Sequence, residues 1–166
     1  MDRLWAPWRL AYIAAPEQKN SSTDAGNCFI CQGVAAPEDR ANLVVHRSDW
    51  SVVVLNRFPY NNGHLLVCPR SHTGRLDDLT AEELLDAQLL IRYMVGILQK
   101  RMNPDGFNIG LNLGRAAGAG VPGHLHWHLV PRWNGDTNFM PVVGETKVIS
   151  QALEALYDLI KEELSA

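Results

Sequence analysis

Three histidines alternate with apolar residues late in the chain, in Gly123-His124-Leu125-His126-Trp127-His128-Leu129-Val130-Pro131. On an extended segment successive side chains point to opposite faces, so His124, His126 and His128 share one face and Leu125, Trp127 and Leu129 the other. Half of the chain's six histidines sit here. Imidazole titrates near neutrality, so one ring can attack an electrophile while a neighbour binds or protonates an oxygen. Side chains at i and i+2 stand roughly 6.5–7 Å apart at their bases, close enough for two rings to reach one phosphate. A metal is the competing reading, because His-x-His on a strand supplies two imidazole ligands. A chance histidine-rich strand is the bland one.

The loop just ahead of the histidines, Gly114-Arg115-Ala116-Ala117-Gly118-Ala119-Gly120, is built of small residues. Such a loop lets the backbone approach a ligand closely, and its N–H groups can form an anion-binding concavity. Arg115 adds a positive charge. Imidazoles beside a phosphate cradle point to phosphoryl or nucleotidyl transfer. Asn56 and Asn112 each end a strand-like run, where an amide either meets ligand hydroxyls and phosphate oxygens or caps a turn. His64, after Gly63, reads as a local hydrogen-bonding residue.

A second cluster concerns metal. Cys28-Phe29-Ile30-Cys31 is a C-x-x-C pair, a common zinc half-site, with His72 and His124 as completing ligands. A redox dithiol and two unrelated thiols are the alternatives, although no thioredoxin-like pattern surrounds the pair. Cys68 ends an apolar run and reads as a small core residue.

These groups need elements to hold them. Leu43 to Arg47, Ser51 to Asn56, His64 to Cys68 and Phe107 to Asn112 read as strands, with the histidine segment as a fifth. Thr80-Ala81-Glu82-Glu83 is a capping box, and Leu84, Gln88, Ile91, Val95, Leu98 and Met102 form one stripe of a long helix ended by Asn103-Pro104-Asp105-Gly106. A last helix is expected from about Val148 to Leu164. Hairpin-like succession with one helix before the final strands predicts α+β, a mostly antiparallel sheet with helices on one face.

The 166 residues suit one domain, 28–166, preceded by an arm and polar loop, 1–27, in which Trp5, Trp8 and Tyr12 stand out. A net charge of −3 argues against broad nucleic-acid binding, and no apolar run nears the ~20 residues of a membrane span. The first residues carry no secretory pattern and three cysteines make no disulfide framework, so a cytoplasmic setting is expected.

The assembled residues resemble the histidine triad (HIT) family, whose signature His124 to Val130 match at every position. Leu55 to Val67 is similar to the family's ribose-side strand pair and Gly-His turn, and Gly110 to Gly118 to its phosphate loop. Pro131 to Phe139 and Leu4 to Arg9 resemble a narrower bacterial group, the diadenosine-tetraphosphate phosphorylase-like proteins near the fragile-histidine-triad branch. The resemblance implies the HIT fold, a five-stranded sheet with one long and one C-terminal helix. It implies cleavage of a nucleoside polyphosphate, most simply a dinucleoside polyphosphate, by hydrolysis or phosphorolysis through a nucleotidyl-His126 intermediate. His128 would serve the phosphate oxygens, and the His124 carbonyl would fix the His126 tautomer. Asn56 would hold ribose, and Asn112, Arg115 and the amides of Gly118, Ala119 and Gly120 phosphate. Cys28, Cys31, His72 and His124 would hold a structural zinc. No organic cofactor is implied, and a homodimer through the long helix and an edge strand is. One departure stands out: Ala119-Gly120 occupies the stretch where many members carry a Ser that contacts phosphate. A nucleotide sensor or adaptor with little turnover, and a metal-dependent hydrolase with the triad as ligands, are the rival functions.

Overall fold

A computed structural model describes residues 25–137 and 149–165. The aromatic arm, most of the polar loop after it and Phe139 lie outside the described residues.

Five short strands form one antiparallel sheet: β1 (Val44–Arg47), β2 (Ser51–Leu55), β3 (Leu65–Pro69), β4 (Gly106–Leu111) and β5 (Trp127–Arg132), in the order β1-β2-β3-β5-β4. The β-branched runs of β1 and β2 pair across a tight turn in which Ser48 N–H donates to the Ser51 carbonyl at 3.0 Å. Central β3 lies in register with β2 from Leu55↔Leu65 to Ser51↔Pro69 and with β5 at Leu65↔Leu129 and Val67↔Trp127.

Alternation decides which face each side chain takes. Val45, Val53, Leu65, Val67, Leu125, Trp127 and Leu129 form one core with the long helix α2 (Ala81–Met102) and the last helix α3 (Leu153–Leu164). The Thr80 hydroxyl accepts from Glu83 N–H while the Glu83 carboxylate accepts from Thr80 N–H, the capping box expected of that sequence. Val44, Val52, Val54, Leu66 and Cys68 face the other way and meet a short helix, α1 (Phe29–Ala35), through Ile30 and Cys28.

Helix α1 corrects the expectation that helices occupy one face. Seven residues interrupted by Gly33 carry no amphipathic stripe that the sequence reveals, and tertiary contacts hold them. Arg47 on β1 donates to the carbonyls of Gly33 (2.7 Å), Val34 (2.8 Å) and Ala36 (3.1 Å), satisfying orphan acceptors of the helix C-terminus, and to Asp39. Two boundaries differ as well. The last helix starts at Leu153, not near Val148, with Ser150 and Gln151 in a bend. The ladder of β5 starts at Trp127, so His124 and His126 precede the regular strand. The side chains still alternate: Leu125 N–H donates to the Thr73 carbonyl at 2.7 Å, which holds the approach extended.

Candidate active site and metal cluster

The face that carries α1 also holds a cavity of about 610 Å³. Val54 and Leu66 of the sheet, Leu43 before β1, Phe29 and Gln32 of α1, His126, His128, Gly120 and Asn56 are all in its wall. Leu43 sits at φ 58°, a left-handed conformation a leucine adopts only under constraint, and its carbonyl accepts from Leu55 N–H.

Hydrogen-bond geometry fixes the imidazole tautomers. A backbone carbonyl can only accept, so the 2.8 Å contact between His126 Nδ1 and the His124 carbonyl makes Nδ1 the protonated nitrogen. Burial lowers the His126 pKa against the opposing effect of that bond, so the ring is neutral at pH 7 and Nε2 carries a lone pair. His64 works in the reverse sense. Its Nδ1 accepts from Tyr60 N–H (3.0 Å) and from Asn56 Nδ2 (3.2 Å), so its Nε2 holds the hydrogen. That hydrogen points at His128 Nδ1, 2.9 Å away. Neutral His128 therefore carries its proton on Nε2, a buried atom with no hydrogen-bond partner among the described residues. Burial, then the neighbouring His126, holds His128 neutral, with a pKa of about 4. Tyr60 stacks on His128 at 5.4 Å between ring centroids. Two nitrogens of opposite character thus belong to neighbouring rings, a lone pair on His126 and an N–H on His128. Asn56 is locked too, since its Oδ1 accepts from Phe58 N–H at 2.9 Å.

His124 turns away from this pair. Its Nε2 donates to the Pro69 carbonyl at 2.8 Å, which leaves the Nδ1 lone pair aimed at Cys28 Sγ (3.3 Å) and Cys31 Sγ (3.4 Å). His72 Nδ1 lies 3.2 Å from Cys31 Sγ, and all four donor atoms are within 4.8 Å of one another. The edges of a tetrahedral zinc site with sulfur and nitrogen ligands measure about 3.3–3.8 Å, so the set fits a zinc ion. Burial and the neighbouring Cys28 push the Cys31 thiol up to about 11, a state that a divalent cation would reverse. Four protein ligands leave no open position, which is the pattern of a structural site. The three histidines of the motif do not converge on one point, so they make no shared metal site.

The structure thus brings together His126, His128, Asn56 and Gly120, and separately Cys28, Cys31, His72 and His124. Asn112, Arg115, Gly118 and Ala119 are not in the cavity wall; they build the adjoining loop, where Asn112 Nδ2 donates to the Gly118 carbonyl at 3.4 Å and Ala119 N–H to that of Gly114 at 3.2 Å. Cys68 is fully buried, and burial raises its thiol pKa. Phe29, Gln32, Asn42 and Leu43 were not legible as site residues, because only the placement of α1 over the sheet makes them wall. From the sequence His64 reads as a local hydrogen-bonding residue; its contact with His128 depends on β3 and β5 being neighbours in the sheet, which only the structure shows.

Comparison with known proteins gives consistent results. The HIT domain family matches residues 37–135. The AP-4-A phosphorylase of Mycobacterium tuberculosis is 38% identical over 164 residues, spanning 98% of this chain and 84% of that protein. A zinc-bound histidine triad family protein from Mycobacterium smegmatis superposes with a TM-score of 0.67 at 26% identity, covering 86% of this chain and 96% of that one. The Plasmodium falciparum diadenosine triphosphate hydrolase, solved with Cyclomarin A, superposes with a TM-score of 0.63 at 26% identity, covering 77% and 78%.

Proposed function

Because this chain belongs to the histidine triad (HIT) family, we propose that it is a nucleotidyl-transfer enzyme that cleaves dinucleoside polyphosphates through a covalent adduct on His126. The observation that carries this reading is the His126 Nδ1–H bond to the His124 carbonyl, which leaves the Nε2 lone pair free in the cavity. In the first step Nε2 bonds to the α-phosphorus and the bond from phosphorus to the bridging oxygen breaks. The departing nucleotide leaves with that oxygen, to which His128 Nε2–H donates. In the second step water or inorganic phosphate attacks the phosphorus, the bond to His126 Nε2 breaks with its electron pair returning to that nitrogen, and the acceptor's proton is released to solvent. The relatives' names support both acceptors, one a phosphorylase and one a hydrolase.

The other residues take positions around that chemistry. Asn56, held by Phe58 and His64, bonds the ribose, and the loop from Asn112 to Gly120, with Arg115, holds the phosphates through backbone amides in place of the absent serine. The cavity suits one nucleotide, so the second nucleoside extends outward. A zinc ion on Cys28, Cys31, His72 and His124 would tie α1 to the residue whose carbonyl orients His126. Residues 28–166 form the HIT domain, which pairs as a homodimer through the exposed Leu85 and Leu89 of α2 and the edge strand β4.

The test is incubation of the protein and of His126→Asn with diadenosine tetraphosphate labelled in the α-phosphate, with and without inorganic phosphate. The reading expects turnover, an acid-labile and base-stable labelled adduct on the native chain, and neither on the variant. Binding without turnover or adduct would make the protein a nucleotide sensor instead.

A further inference from the structure

The wall of the cavity carries two further carboxamides, Gln32 on α1 and Asn42 in the turn before β1. Both are anchored. Gln32 Nε2 donates to the Gly26 carbonyl at 3.0 Å, and Asn42 Nδ2 donates to the Glu38 carbonyl at 2.9 Å. A carbonyl cannot donate, so neither amide can exchange its oxygen and nitrogen ends without losing a bond. Each side-chain oxygen is then left without a protein donor among the described residues. A Cβ at Gly33, the residue after Gln32, would meet the Asn42 Cβ at 3.7 Å, so α1 packs closely on this turn.

An amide free to flip reads a 6-amino and a 6-oxo purine equally well, because the two bases present the same groups in reverse order. An amide of fixed orientation does not. With the α-phosphorus at His126 and the ribose at Asn56, the apolar wall of Phe29, Leu43, Val54 and Leu66 is left for the base, and Gln32 and Asn42 add the polar groups to that wall. We propose that Gln32 and Asn42 are base-discriminating residues, whose fixed carbonyl oxygens accept from an exocyclic amino group and so favour 6-aminopurine nucleotides over 6-oxopurine ones. The proposal rests on the nucleotide reading of the cavity and adds the selection that the apolar slot alone would not make. A 6-oxo group would turn an acceptor toward two acceptors, and one such mismatch in a base contact is worth about tenfold or more in affinity.

The experiment is titration calorimetry with AMP, IMP and purine riboside 5′-monophosphate, which differ only at C6 and N1 of the base. AMP is expected to bind at least about tenfold more tightly than IMP, with the unsubstituted purine between them. In Gln32→Leu/Asn42→Leu the AMP-to-IMP ratio is expected to collapse towards one, while purine riboside monophosphate binds about as well as before. A wild-type ratio near one, or an unchanged ratio in the double variant, overturns this inference and leaves the nucleotide site standing. Failure of all three ligands to bind the wild type overturns both. Circular dichroism guards against a misfolded variant, and Gln32→Leu alone, expected to reduce the ratio in part, supplies the second test.

Discussion

Replacing His64 with leucine tests the tautomer argument most directly. His64 is 1% exposed, and its ring donates to His128 Nδ1 (2.9 Å) and accepts from Tyr60 N–H (3.0 Å) and Asn56 Nδ2 (3.2 Å). A typical hydrogen bond contributes about 1 kcal/mol net, so the variant should lose about 3 kcal/mol of stability. Two of these bonds orient groups that act on substrate. Losing about 1 kcal/mol of orientation at each amounts to about 2 kcal/mol, or roughly a 30-fold fall in kcat/KM. The share acting through His128 should appear in kcat and the share acting through Asn56 in KM. His64→Gln, whose amide can still donate to His128, should recover part of kcat. Steady-state and single-turnover rates on diadenosine tetraphosphate, with folding checked by circular dichroism, decide the matter. A folded His64→Leu protein within threefold of wild-type kcat/KM would refute the reasoning, because the His128 tautomer would then not depend on His64.

Three further outcomes are expected. His128, at about 4 in the fold against an ordinary 6.5, takes its proton first in the unfolded chain, so its contribution is complete above pH 6.5 and is lost as pH falls towards 4; urea midpoints between pH 7 and 4 should fall less steeply in His128→Asn than in wild type. Chelation, or Cys28→Ser, should remove one zinc per chain by elemental analysis. If zinc binding contributes about 4 kcal/mol, its loss lowers Tm by roughly 8–16 °C, whereas His126→Asn should keep its metal. Gly74→Ala would place a Cβ 2.2 Å from the Pro122 carbonyl oxygen, so the loop that precedes His124 must shift; a cost of about 1–3 kcal/mol in thermal denaturation is expected, with weaker nucleotide binding.

Much of the fold was legible because its signals are local. The β-branched runs gave the strands, the Thr80–Glu83 capping box the start of α2, and the apolar stripe its core-facing side. Helix α1 was not, since seven residues cannot sustain a helix alone and the group that terminates it, Arg47, lies on a strand well beyond its end at Ala35. The C-x-x-C pair proposed a metal half-site, and the fold supplied the second half by bringing His72 and His124 to it.

The sequence by itself determined that His124, His126 and His128 would share a face, because extended backbone alternates whatever surrounds it. It could not separate their tasks. Tertiary structure decided those through groups remote in the chain: the Pro69 carbonyl turns His124 toward the cysteines, and the Tyr60 N–H acts through His64 to put the proton of His128 on Nε2. Only the bond that fixes His126 is local, to the carbonyl two residues before it. A ring's position along a strand is set by backbone geometry, but the nitrogen that bears its proton is set by the partner across the fold.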